Sequence, residues 1–132
     1  MPPGPHRPRV LIADDDAGIC AAMTRLLSRD CDVVGCVADV EALLDAIAQL
    51  QPDVVLLDFS LPGELNGFDV CRRVKRTTPA VNFVAFTADD DVEIRRSADE
   101  AGFSGFVWKM QAPSALLRMI QTVVGGTPRL SD

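Results

Sequence analysis

At 132 residues, with 48% hydrophobic and 24% charged side chains, the chain has the size and balance of one folded domain, and default disorder is excluded outside its termini. A net charge of −6 argues against direct binding of nucleic acid by these residues. No stretch reaches the length of a membrane span, and the Pro-rich leader, residues 1–8, has no apolar core of signal-peptide length and reads as a flexible tail.

In chain order, the first element is the apolar run Val10-Leu11-Ile12-Ala13, which reads as a strand buried on both faces, the kind found in parallel sheets. It ends in Asp14, Asp15 and Asp16. Apolar residues then take a helical period, with Ile19, Met23, Leu26 and Leu27 at i, i+4, i+7 and i+8. Asp39 is suited to cap a second helix, whose stripe Val40, Leu43, Leu44, Ile47 and Leu50 stops before Pro52. A second strongly apolar strand, Val54 to Leu57, ends in Asp58. Phe68, Cys71 and Val74 mark a third helix, and the strand from Val81 to Phe86 ends in Thr87. The fourth helix has only a thin stripe, Ile94, Ala98 and Ala101, with Gly102 as its stop, and should be less firmly anchored. Gly105 to Trp108 form the last strand, ending in Lys109. The fifth helix starts at Pro113, carries Leu116, Leu117, Ile120, Val123 and Val124, and ends before Gly125-Gly126. Five alternations of strand and helix, joined by right-handed crossovers, give a three-layer α/β sandwich.

Ligands of such sheets bind beyond the carboxyl ends of the strands, where Asp14, Asp15 and Asp58 gather. Three converging carboxylates repel one another unless a cation sits among them, and an all-oxygen set suggests Mg²⁺. The Asp14–Asp16 run could instead be a solvated turn favouring the next helix dipole; its place after a buried strand, beside the strand bearing Asp58, favours the metal. An acid directly after four buried aliphatics needs a charge partner, and Lys109 supplies one. Thr87 alone is an ordinary strand residue. Phe106 and Trp108 share one face of the last strand by alternation, either packed beneath the fourth and fifth helices or forming a binding surface. The four cysteines, Cys20, Cys31, Cys36 and Cys71, read as structural core thiols of a reducing compartment; the only histidine, His6, lies in the leader, so a zinc set is not formed.

The strings LIADDD, PDVVLLDFSLPGELNGFDV, FTADDD and GFSGFVWK place Asp-Asp, Asp, Thr and Lys in order at four strand ends. Over about residues 9–124 this set resembles the receiver domain of two-component response regulators. The resemblance implies a flavodoxin-like α/β fold with sheet order 2-1-3-4-5. It implies that Asp58 accepts a phosphoryl group from a sensor histidine kinase or phosphotransfer protein. Mg²⁺ would be held by Asp15 and Asp58, by Asp14 through water, and by the backbone carbonyl of Ser60. Thr87 and Lys109 would contact phosphoryl oxygens, and Thr87 with Phe106 would form a switch, although plain core packing of Phe106 stays open. The face made by the fourth helix, fifth strand and fifth helix would then change state, with a homodimer on phosphorylation among the partners implied. A cytoplasmic phosphoacceptor, rather than an enzyme, is expected, taking part only in its own phosphorylation and slow autodephosphorylation. The string Lys109-Met110-Gln111-Ala112-Pro113 is similar to the subgroup joined to a C-terminal helix-turn-helix DNA-binding domain, so residues 125–132 read as a tail or the start of a linker.

Three departures stand out. The loop from Pro62 to Gly67 is one residue longer than usual, Met110 stands where proline commonly follows the lysine, and Ala112 replaces a capping serine at a cost of about 1 kcal/mol. Two other readings compete: a docking pseudo-receiver that is never phosphorylated, and a phosphatase of the haloacid-dehalogenase type. The latter normally places a second acid where Ser60 stands.

Overall fold

Strand and helix alternate five times along residues 7–88, 91–111 and 113–125, the residues that the computed structural model describes. The elements are β1 (Arg9–Ala13), α1 (Ala17–Leu27), β2 (Asp32–Val37), α2 (Val40–Leu50), β3 (Val54–Leu57), α3 (Gly67–Thr77), β4 (Asn82–Thr87), α4 (Val92–Ala101), β5 (Gly105–Trp108) and α5 (Pro113–Gly125). All strand pairs are parallel and the sheet order is β2-β1-β3-β4-β5, as the resemblance implies. Residues 1–6 and 126–132, and with them most of the expected leader and tail, lie outside the described residues, as does Ala112 with its missing cap.

Period-two alternation divides the interior strands between two cores. Leu11, Ala13, Val55, Leu57, Phe83 and Ala85 face one core, built with α2, α3 and α4. Their neighbours Val10, Ile12, Val54, Leu56, Val84 and Phe86 face a second, built with α1 and α5. All four residues of β3 are buried, which is why its run of aliphatics contains no polar position. β2 is an edge strand with a mixed pattern, Asp32 and Cys36 being exposed, and it has no continuous apolar run to announce it. Its register with β1 shifts between Val10 and Leu11, a bulge at the entry of the sheet.

Side-chain caps fix the helix starts. Asp16 accepts from the Gly18 and Ile19 amides, Asp39 from Ala42, Asn66 from Asp69 and Asp91 from Glu93. Gly102 ends α4 in the left-handed region at φ 106°, where its missing side chain avoids strain. Pro113 opens α5 as expected, and that helix takes in Gly125, one residue beyond the expected stop. Two expectations need correction. On α1 the fully covered residues are Cys20 and Leu27, whereas Leu26 is exposed and Ile19 and Met23 are half-buried, because only one narrow line of this helix meets the sheet. Not all the thiols are core: Cys20, Cys31 and Cys71 are buried, but Cys36 is exposed, since the edge position of β2 leaves it partly uncovered.

The long loop after β3 folds back onto α2. The Val40 amide donates to the Pro62 carbonyl at 2.9 Å, and Gly63, at φ 153°, approaches so closely that a Cβ there would lie 2.5 Å from Val40 Cβ. The Lys109–Met110 peptide is trans.

Candidate functional site

Register, more than proximity in sequence, assembles the site. Ala13 of β1 pairs with Leu57 of β3, so the next residues, Asp14 and Asp58, leave the sheet side by side. The Asp58 amide extends the ladder by donating to the Ala13 carbonyl at 3.0 Å. On the other side, Thr87 of β4 pairs with Trp108 of β5, and the Lys109 amide donates to the Thr87 carbonyl at 2.7 Å. Four strands thus present two acids, a hydroxyl and an ammonium at one edge. A cleft of about 620 Å³ opens over them, lined also by Asp15, Phe59, Ser60, Ala88 and Ile94.

Lys109 reaches back across the strand ends. Its Nζ lies 2.8 Å from Asp14 Oδ2 and 2.8 Å from Asp58 Oδ2, so one ammonium bridges two buried carboxylates. The same Nζ sits 5.4 Å from the centre of the Phe86 ring, which lines its path. Asp14 Oδ1 accepts from the Asp16 amide at 2.9 Å, and Asp58 Oδ1 accepts from the Ser60 amide at 2.9 Å. Burial by itself would raise the Asp58 pKa, but the hydrogen bonds from Lys109 and from the Ser60 amide and hydroxyl outweigh it and hold the carboxyl below its ordinary value. Burial would likewise lower the Lys109 pKa, yet its bonds to Asp14 and Asp58 win and the ammonium is held above its usual range. Both groups are therefore ionised at neutral pH.

Asp15 is exposed, but one carboxylate oxygen from each of Asp14, Asp15 and Asp58 lies within 4.8 Å of the others. Three negative charges face one ammonium, and every donor in the trio is a hard oxygen. That imbalance and that chemistry fit Mg²⁺, which prefers carboxylate, carbonyl and water ligands. Of the residues expected at the site, Asp14, Asp15, Asp58, Ser60, Thr87 and Lys109 all line the cleft. Phe106 does not: it is half-buried on the α2–α3–α4 side, with the Arg95 guanidinium 4.9 Å from its ring centre. Trp108 is half-buried too, its indole N–H donating to the Ala88 carbonyl at 2.9 Å. Asp16 serves as the α1 cap and does not line up with the acid trio.

Two features were not legible beforehand. Sequence reading pairs Lys109 with Asp58 alone, whereas its second bond, to Asp14, depends on where β1 lies in the sheet. Phe59 was not anticipated at all; its ring lines the cleft and packs against Phe68 at 4.6 Å and Phe103 at 5.3 Å, linking the acid edge to α3. Its only signal was its position directly after Asp58.

A family model for the response regulator receiver domain matches residues 10–121. The chain belongs to that family. The receiver is 35% identical over 115 residues to the DNA-binding response regulator MtrA of Mycobacterium tuberculosis, covering 87% of the chain and 50% of that protein. It is 32% identical over 119 residues to the response regulator MprA of Mycolicibacterium vanbaalenii, covering 90% of the chain and 51% of that protein. The receiver thus spans about half the length of these curated relatives. Among solved structures, the signal receiver domain of NarL from Mycobacterium tuberculosis superposes with a TM-score of 0.86 at 28% identity, covering 93% of this chain and all of that one. The receiver domain of RcsB from Salmonella enterica, determined with a phosphomimetic, gives 0.85 at 25% identity, covering 92% of this chain and 91% of that one. The receiver is accordingly a component of two-component signalling. No described helix is long and apolar enough to cross a membrane.

Proposed function

We propose that Asp58 is the phosphoacceptor of this receiver and that a phosphohistidine of a sensor histidine kinase or phosphotransfer protein is the donor. The observation that carries the reading is the Lys109 ammonium bridging Asp14 and Asp58, with Asp15 completing an acid trio at the mouth of the cleft. The lowered Asp58 pKa keeps the carboxylate ionised at neutral pH, the state in which it can attack. One Asp58 oxygen attacks phosphorus in line, the P–N bond to the donor imidazole breaks, and the imidazole leaves with the bonding electrons. Asp15, Asp58 and the Ser60 backbone carbonyl, with Asp14 through water, would hold Mg²⁺, which would supply positive charge to the phosphoryl oxygens. Lys109 already rests on Asp58, so its ammonium is positioned to follow the added charge. Thr87, buried at the end of β4, offers its hydroxyl to a phosphoryl oxygen.

Movement of Thr87 pulls the chain leading to α4, and Phe106 takes up the space released, changing the α4-β5-α5 face. Residues 9–124 form the receiver unit, followed from residue 125 by a tail or linker. The relatives' greater length and the name DNA-binding response regulator support an output domain that contacts DNA in the intact protein. The switched face would be where that domain, a partner protein or a second copy reads the signal.

Intact mass after incubation with acetyl phosphate tests the acceptor. The native chain should gain one phosphoryl group only with Mg²⁺, and Asp58→Asn should gain none. Labelling that persists in the variant, or that ignores chelation of the metal, would overturn the assignment.

A further inference from the structure

A second chemical group lies behind the acid edge, on the α1 side of the sheet. Cys20, in the first turns of α1, and Cys36, on the edge strand β2, line one cleft of about 210 Å³ together with Asp14, Asp15, Ala17, Val37 and Ala38. The register explains the meeting. Cys36 pairs with Ile12 of β1, and parallel partners point to the same side, so Cys36 faces the core that holds Cys20. Cys36 Sγ lies 3.9 Å from the Cys20 carbonyl oxygen and 3.5 Å from Thr24 Oγ1, which sets it against the turn of α1 that carries Cys20. Cys20 is buried while Cys36 is exposed, so the pair has one member open to solvent and one protected behind it. Cys31 and Cys71 are both buried.

We propose that Cys20 and Cys36 form an oxidisable dithiol that closes to an intramolecular disulfide when hydrogen peroxide reaches Cys36. The Cys36 thiolate attacks one peroxide oxygen, the O–O bond breaks, and the departing hydroxide takes up a proton as water, leaving a sulfenic acid on Cys36. The Cys20 sulfur then attacks the Cys36 sulfur. An S–S bond forms, the S–O bond breaks, and the leaving hydroxide takes the Cys20 proton as a second water. Two electrons pass from the thiols to the peroxide. Closure ties α1 to β2 and also changes the acid edge, because the Cys20 thiol donates to the Asp14 carbonyl at 3.4 Å and the disulfide cannot.

The test is peroxide treatment of the native chain followed by alkylation in denaturant. The chain has four cysteines, so four alkyl groups should add before oxidation, two after it, and four again after treatment with dithiothreitol. Digestion with trypsin and an aspartate-directed protease should yield the linked peptides Asp16–Arg25 and Asp32–Ala38. Cys36→Ser, at an exposed position, should retain the fold and give no bridge, with Cys20 remaining alkylatable. A bridge joining any other pair, a dimer joined through Cys36, or accumulation of sulfinic acid on Cys36 with no linked peptide would overturn the proposal. Phosphorylation is not part of this readout, so its outcome is separate from the assignment of Asp58.

Discussion

Removing the Lys109 ammonium tests the electrostatics of the site most directly. Asp14 and Asp58 are 3% and 6% exposed, and the ammonium that bridges them is on a side chain 15% exposed, so little solvent is available to screen an orphaned pair. Breaking a buried ion pair by deleting one partner costs about 3 to 5 kcal/mol, and two carboxylates opening to a cleft place Lys109→Ala near the lower end, at about 3 kcal/mol. Urea unfolding in the presence of a chelator should show that loss. At the proposed metal site Mg²⁺ would supply the missing charge, so a saturating concentration should recover most of it and should stabilise the variant more than the native chain. A loss below about 1 kcal/mol in chelator, or an equal loss with and without Mg²⁺, would refute the view that the ammonium offsets the acid trio.

Other consequences are open to measurement. Phe83 is fully buried and touches Phe103 edge-on at 5.8 Å, so Phe83→Ala should cost about 3 to 5 kcal/mol in denaturant unfolding, and a cost under about 1 kcal/mol would contradict its place in the core. Gly63→Ala drives a Cβ against the rigid Val40 backbone and side chain, whereas Gly105→Ala meets only the flexible Met119 side chain; the first should destabilise by about 2 kcal/mol and clearly more than the second, and a reversed order of unfolding midpoints would show that the loop relaxes. In chelator, the stabilisation from Asp58, whose folded pKa is depressed, is complete above its ordinary value of 3.8 and disappears as pH falls through the lower folded value. That from Lys109, whose folded pKa is raised, is complete below 10.5 and is lost as pH rises through the folded value. Unfolding midpoints of the native chain and Asp58→Asn should therefore converge in acid, and a constant difference from acid to neutral pH would argue against a depressed Asp58.

The sheet was legible because its interior strands β1, β3 and β4 each hold an unbroken apolar run of at least four residues, as burial on both faces requires. The cap at Asp39 and the stop at Gly102 followed from local chemistry that tertiary contacts did not override, whereas the Asp16 cap on α1 was not read beforehand. β2 was not located in the sequence: Asp32, Gly35 and an exposed Cys36 dilute its pattern, as an edge strand permits. Leu26 misled because a helical period shows which residues share a face, but not how wide a strip the sheet will cover. Asp58, the acid pair Asp14 and Asp15, Thr87 and Lys109 were readable as strand-end residues. The bridging of Asp14 and Asp58 by one ammonium was not, since it depends on the Ala13–Leu57 register. Phe59 carried no pattern, and its contacts arise from α3 and the segment after α4.

The division of β1, β3 and β4 between two cores has an evolutionary consequence. The side chains of each layer pack on their own face of the sheet, and changes at well-separated positions usually add rather than interact. One layer can therefore be rewritten while the other holds the strand register, and Asp14 and Asp58 keep their spacing as long as Ala13 and Leu57 stay paired. Such stepwise replacement gives a physical route by which relatives sharing about a third of their residues can diverge without moving the acid edge.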